Sequence, residues 1–345
     1  MLIDWSKVRS VLVVRLRSIG DTVLSTPSLI ALRRFLPEAR IDILLEDWVA
    51  PVLEGFDAID NVVSFKKDDF ISRLKAARKI RQNKYDVVFN LHGGTTATFF
   101  ARASGAKHRI GLREYQYNFL YNHLLSSPAD FWQKKQVHSA EQQLALLGFV
   151  GVPVADKPKS RLAVIQNSKF KIQNYALIHP VAAFETKQWA TENFARVAEF
   201  LGEKGLRTVA VATKKEHGVL DELEKLARVP VTTFDDLTLP EITALASRAK
   251  IFVGNDSGIA HIAAAVETPS VVIFGSSNIN HWRPWTNAPN EIVYSKKPCS
   301  HQTDEMRKGS ENPKCIRCVE VEDVCEAIKR VLPGGILVDE TIMKS

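Results

Sequence analysis

The stretch from Ile251 to Trp285, IFVGNDSGIAHIAAAVETPSVVIFGSSNINHWRPW, leaves the backbone few choices. A short apolar run turns through Gly254-Asn255-Asp256-Ser257-Gly258, enters an alanine-rich segment, and returns through a second apolar run, Ser270 to Phe274, before another Gly. This reads as strand, tight turn, helix, strand. Ser257 stands where an N-cap is expected, so free backbone N–H groups and the positive end of the helix dipole point past the strand end. Such a terminus suits a phosphate. Asp256 repels phosphate but accepts hydroxyls, so the turn fits a ligand that carries both, as a nucleotide sugar does. Alone, a strand-turn-helix with Gly and Asp is also ordinary punctuation in any α/β protein, and both readings stand at this point.

A chain of 345 residues is long enough for two domains, each burying its own core. It contains no apolar run of about 18 residues, so no bilayer span is expected. MLIDWSKVRS lacks the basic region and apolar core of a signal peptide, and a cytosolic location is expected. The formal charge of +7 calls for an anionic partner: nucleic acid, acidic membrane or a phosphorylated substrate. The four cysteines all lie between Cys299 and Cys325, too few for a disulfide scaffold. Cys299, His301, Cys315 and Cys318 have ligand types and spacing compatible with zinc, with reduced thiols in a C-terminal loop as the plainer reading. Cys325 shares a helix face with Val321, Val324, Ile328 and Val331 and is expected in the core.

In chain order, Val8 to Val14 predicts a buried strand, and Arg15-Leu16-Arg17-Ser18-Ile19-Gly20-Asp21 the loop leaving its C-terminal end. Thr22 to Phe35 has helical spacing. Open α/β sheets bind ligands at such strand ends, and Asp21 at a helix start is kept ionised by the dipole. Its bland role is an N-cap. Arg15 and Arg17 are either solvated or placed for acidic groups of a substrate. Further strands are expected over Ile41 to Leu45, Val62 to Phe65, Val87 to Leu91 and Arg109 to Leu112, the beat of a parallel sheet with crossover helices. In the helix from Asp69 to Gln82, Phe70, Ile71, Leu74, Ala77 and Ile80 form an apolar stripe, while Arg73, Lys75, Arg78, Lys79, Arg81 and Lys84 crowd the rest. Those cations are either a solvated face or a surface for anionic lipid. His92-Gly93-Gly94 follows a strand. Arg113 to Gln136 is aromatic and irregular, a lid or acceptor wall, and Ser139 to Leu147 predicts a helix capped by Ser139 with Gln142.

Residues 156–174 have little periodicity and predict a linker between domains spanning 1–155 and 175–345. The alternation then resumes, with strands over Ala176 to Ile178, Thr208 to Ala212 and Ile251 to Val253, and helices over Glu192 to Leu201, His217 to Ala227 and Glu241 to Ala246. The organisation predicted is α/β, two doubly wound domains facing each other across a cleft. Lys187 and Glu216 fall just after strand ends, where an ammonium would neutralise a diphosphate and a carboxylate would accept ribose hydroxyls. Each by itself reads more simply as surface charge.

Together, RLRSIGDTVLSTP, HPVAAFETKQW, TKKEH and VGNDSGIAHIAAA followed by TPSVVIFGSSNINHWRPW resemble glycosyltransferase family 9, the ADP-heptose:lipopolysaccharide heptosyltransferases, in the family's order along nearly the whole chain. The resemblance implies a GT-B fold of two Rossmann-like domains, acceptor on the first and ADP-sugar on the second. It implies Asp21 as catalytic base, Lys187 and Glu216 on the diphosphate and ribose, Asp256 on the transferred sugar, and Ser257, Gly258 and His261 in the phosphate-side turn and helix. Arg15, Arg17 and His92 fall on the acceptor side. The implied reaction is inverting transfer without metal or other cofactor, onto an acidic lipid-linked oligosaccharide at the inner face of the cytoplasmic membrane, with no nucleic acid involved. Val181 departs from the glycine that often follows the family's His-Pro pair, which bears on how closely that loop approaches a phosphate. A nucleotide-sugar epimerase of the same shape and a non-catalytic carbohydrate-binding relative are the rival expectations. A dinucleotide oxidoreductase is disfavoured, because no GxGxxG follows a strand with an acidic residue about 20 positions on.

Overall fold

The computed structural model describes residues 3–165, 170–296 and 315–332, and the chain divides into two compact units at Ala163/Val164. In the first unit β1 (Ser10–Val14), β2 (Arg40–Glu46) and β4 (Val87–Asn90) are almost wholly buried, whereas β3 (Asn61–Phe65), β5 (His108–Leu112) and β6 (His123–Leu125) lie further out. Runs such as Val11-Leu12-Val13-Val14 cannot leave either face to water, so helices must cover both. Among the described residues the strand order is β3-β2-β1-β4-β5-β6, all parallel.

The second unit repeats the plan. Its strands are β7 (Tyr175–His179), β8 (Arg207–Val211), β9 (Val231–Phe234), β10 (Ile251–Asn255), β11 (Ser270–Ile273) and β12 (Asn290–Val293), in the order β12-β11-β10-β7-β8-β9. Read from its own first strand this is again 3-2-1-4-5-6. In each sheet the strand order therefore reverses between the first and fourth strands, β1 and β4 or β7 and β10, and ligands of doubly wound sheets bind at the carboxyl ends of such strands. Trp189, Phe194, Val253, Ile273, Val324 and Ile328 belong to the core beside this sheet.

Several local expectations change. The single helix over Thr22 to Phe35 is two, α1 (Ile19–Val23) and α2 (Thr26–Phe35), because Pro27 lacks an N–H and fits only a first turn. α3 (Phe70–Gln82) starts after Asp69, whose carboxylate accepts from Ser72 N–H at 2.9 Å. It is followed by α4 (Gly94–Ala103) and, within the aromatic stretch expected to be irregular, by β6 and α5 (Pro128–Trp132). α6 (Ser139–Gly148) is capped by His138 with Glu141, not by Ser139 with Gln142: Ala140 N–H donates to His138 Nδ1 and His138 N–H to Glu141. The second unit has α7 (Thr191–Glu203), α8 (His217–Leu226), α9 (Leu239–Arg248), α10 (Gly258–Ala265), α11 (Ile279–Trp282) and α12 (Val321–Val331). Val321, Val324, Ile328 and Val331 are buried on α12, and Cys325 sits at the rim of that core with its thiol pushed up to about 11 by burial.

The segment expected as linker is bound at both described ends. Lys157 reaches Glu141 at 2.7 Å and Arg161 N–H donates to Thr26 at 3.1 Å, within the first unit. Phe170 packs edge-on against Phe234 and accepts from Arg248, within the second. Among the described residues no helix is long and apolar enough to cross a membrane.

Candidate functional site

In the first unit the carboxyl ends of β1 and β4 meet through one arginine. Arg15, only 8% exposed, pairs its guanidinium with the Asp21 carboxylate and donates to the Leu91 carbonyl just past β4. It is therefore an internal brace and not a solvated cation. Asp21 is the third residue of α1 and accepts from Ser18 N–H at 3.3 Å and Ser18 Oγ at 3.0 Å. Ser18, not Asp21, is the N-cap, and the carboxylate closes a capping box from the other side. Arg17 is half exposed and lies 3.9 Å from Glu46 at the end of β2.

Asn90, the last residue of β4, shapes the next loop: its Oδ1 accepts from His92 N–H and Gly93 N–H, both at 3.0 Å, while its Nδ2 donates to the Tyr121 hydroxyl. Gly93 has φ +74°, and an added Cβ would stand 3.0 Å from the Tyr115 ring. His92 is held near Arg15, Arg17 and Asp21. Burial, then the neighbouring Arg15, lowers its pKa to about 4, so it is neutral at neutral pH and offers a hydrogen-bonding group, not a cation.

In the second unit the ends of β7 and β10 gather most of the remaining residues. Lys187, in a 3-10 turn Glu185–Lys187, donates to Asp256 Oδ2 at 2.9 Å, and Ser277 Oγ donates to the same oxygen at 2.5 Å. The Asp256 side chain is 6% exposed and that of Lys187 25%, so the pair lies at the mouth of the site with the carboxylate inside. Ser257 precedes α10, yet its hydroxyl does not cap the helix; it shares a 3.1 Å hydrogen bond with His179 Nδ1. The first amides of α10 thus carry no side-chain cap, and the hydroxyl is held to one side by a histidine that burial lowers to about 4. Gly258 opens the helix, and His261 is buried one turn on.

Asn255 fastens the loop that carries Lys187: its Nδ2 donates to Pro180 O at 3.0 Å and its Oδ1 accepts from Trp189 N–H at 3.1 Å. The loop after β11 is fastened to it as well. Ser276 Oγ donates to Thr186 Oγ1 at 3.0 Å, and a Cβ on Gly275 would stand 2.1 Å from the Thr186 carbonyl oxygen, so only glycine allows this approach. Val181 turns into the core at 1% exposure and does not line the loop's outer surface.

Glu216 lies close enough to His179 for its charge to oppose the lowering of that histidine's pKa by burial. Beyond the end of β8, it accepts from Thr213 N–H at 3.0 Å and Thr213 Oγ1 at 2.7 Å, a second capping box of the Asp21 kind. His179, Asn255, Thr186, Gly275 and Ser277 were not singled out in the sequence. A usable signal was there: Asn90, His179 and Asn255 are each the polar residue that ends an apolar strand. Of the possible zinc ligands, Cys315 is buried and Cys318 half-buried, and Cys299 and His301 lie outside the described residues. Among the described residues no three His, Cys, Asp or Glu are grouped to hold a metal ion.

Residues 73–310 match the model of glycosyltransferase family 9 (heptosyltransferase). The chain belongs to that family. It is 28% identical over 350 residues to lipopolysaccharide heptosyltransferase 3 of Escherichia coli, covering 92% of this chain and 97% of that one. The family 9 glycosyl transferase of Veillonella parvula superposes with a TM-score of 0.80 at 19% identity, over 94% of this chain and 97% of its own. The E. coli ADP-heptose lps heptosyltransferase II superposes with a TM-score of 0.76 at 19% identity, over 93% and 98%. This glycosyltransferase accordingly has the GT-B fold, with its paired parallel sheets and flanking helices.

Proposed function

We propose that this glycosyltransferase moves a heptose or related sugar from an ADP-sugar to the inner core of lipopolysaccharide or a similar lipid-linked acceptor, with inversion at the anomeric carbon. One observation carries the reading: at the point where the strand order of the second sheet reverses, an ammonium, a buried carboxylate and the uncapped start of α10 converge. A diphosphate takes the ammonium and the amides, and sugar hydroxyls take the carboxylate. Support also comes from the family match and from the E. coli neighbour whose name includes ADP-heptose.

In this reading Asp21 removes the proton from an acceptor hydroxyl. Its oxygen forms the new bond to the anomeric carbon as the bond from that carbon to the diphosphate oxygen breaks. Arg15 orients Asp21, while His92 and Arg17 border the acceptor. Lys187 and the first amides of α10 stabilise the charge growing on the departing ADP, a task that needs no metal ion. Glu216 keeps Oε1 for a ribose hydroxyl while Oε2 is held by Thr213. The enzyme works in the cytoplasm, at the inner face of the membrane that holds its acceptor.

ADP alone is expected to raise the melting temperature, and Lys187→Ala to cut the ADP binding energy by about 1.5–3 kcal/mol, as for a charge-assisted hydrogen bond. Titration calorimetry that finds equal ADP affinity in the two proteins removes Lys187 from the donor site.

A further inference from the structure

A helix lying on a sheet buries one arc and gives the other to water. On α3 the core takes Ala76 and Ile80, with Ala77 packed beside them. At about 100° per residue, Ile71 and Leu74 lie roughly 180° and 120° from Ile80, while Phe70, the first residue of the helix, flanks the core edge beyond Ala77; the three are 63%, 47% and 70% exposed. The apolar stripe expected from the sequence was therefore too broad, and only its Ala77–Ile80 edge is core. Further along the helix the exposed residues become basic: Lys75, Arg78 and Arg81. The helix is polarised along its axis, with an apolar tip and a cationic shaft. From Lys66 to Lys84 the chain carries eight Lys or Arg against Asp68 and Asp69 alone, which accounts for most of its formal +7. α4, packed against α3, adds Phe99, also about half exposed.

We propose that the Phe70–Ile71–Leu74 tip of α3 inserts into the interface of an anionic lipid bilayer while the basic residues behind it rest on the headgroups. The inference rests on the lipid-linked acceptor reading only for its purpose, which is to hold the enzyme where its acceptor is anchored. Charge complementarity selects the occupant. A second copy of the chain would bring two strongly cationic surfaces together, which is repulsive. A soluble polyanion would leave the large apolar side chains in water, and a neutral bilayer would leave the cations without partners. An anionic interface satisfies both halves, apolar burial and headgroup attraction acting together. α3 begins just past the carboxyl end of β3, so the tip lies at the edge of the sheet that also carries Arg15, Asp21 and His92.

The test is co-sedimentation with vesicles of phosphatidylglycerol and phosphatidylethanolamine, and with phosphatidylcholine vesicles, each at low and high salt. The proteins are wild type, the triple variant Phe70→Gln/Ile71→Gln/Leu74→Gln, and Arg78→Glu/Lys79→Glu. Glutamine is a good helix former at exposed positions, so all three proteins are expected to melt alike and to respond alike to ADP. Wild type is expected to bind the anionic vesicles only. The triple variant is expected to lose roughly tenfold or more in partitioning, its remaining binding vanishing in high salt. The charge-reversed protein loses binding chiefly at low salt. Wild-type partitioning by the triple variant overturns insertion, as does a wild type that ignores anionic vesicles. A wild-type dimer in sedimentation velocity that the triple variant dissolves assigns the patch to a second copy and also overturns it. Failure of the ADP response speaks against the donor site instead, so the two readings fail separately.

Discussion

Removing the Lys187 ammonium leaves the Asp256 carboxylate, 6% exposed, with Ser277 Oγ as its remaining hydrogen-bond donor among the described contacts. Breaking a fully buried pair from one side costs about 3–5 kcal/mol. Lys187 is a quarter exposed, and water can enter where its side chain was, so the cost in the ligand-free enzyme falls to about 2–3 kcal/mol. For a unit of this size that is a drop of roughly 5–10 °C in the transition that reports it. Asp256→Asn works from the other side. It leaves a cation that reaches solvent and an amide that still accepts from Ser277, so about 1 kcal/mol or less is expected. The decisive protein is the double variant Lys187→Ala/Asp256→Asn. Without the buried charge, the loss of Lys187 costs little, and the double should melt close to Asp256→Asn alone, a coupling of about 2–3 kcal/mol. Urea unfolding followed by tryptophan fluorescence, with calorimetry for the melting transitions, measures all four proteins. If Lys187→Ala and Asp256→Asn simply add, the two groups do not form the pair described and the electrostatic account of this site is wrong.

Asp21→Asn keeps an oxygen for Ser18 but has no basicity, so it should fold and bind ADP-sugar while losing about 100-fold or more in single-turnover transfer; a wild-type rate makes Asp21 structural. Gly275→Ala puts a Cβ 2.1 Å from the Thr186 carbonyl, and the forced backbone shift should cost about 1–3 kcal/mol and weaken ADP binding through the adjacent Lys187, both readable by ADP titration and melting. His179 is buried with its pKa lowered to about 4, against about 6.5 in the unfolded chain. Its contribution is therefore complete above pH 6.5 and is lost as pH falls towards 4, by up to about 3 kcal/mol. Unfolding free energies of wild type and His179→Gln across that window should converge as the pH drops, and parallel curves refute the assignment.

The sequence alone settled the alternation of elements, because runs such as Val11 to Val14 and Ile251 to Val253 have no polar face and must be inner strands of a covered parallel sheet. It also settled which loops leave the carboxyl ends of those strands, and with them Asp21, His92, Lys187, Glu216 and Asp256. The short outer strands β6, β9 and β12 were not visible, since three or four half-solvated residues carry no periodic signal. Pairing was the tertiary structure's to decide. That Lys187 meets Asp256 across 69 positions, that Arg15 braces Asp21, and that Ser257 turns to His179 instead of capping α10 depend on which strands lie side by side. Propensity and spacing describe a residue's neighbours along the chain, whereas a buried charge takes whatever partner the sheet order brings within about 3 Å. The same holds for α3. Its sequence lists apolar and basic residues at helical spacing, but only the place where the sheet meets the helix decides that Ile80 is core and Phe70 is left facing outward.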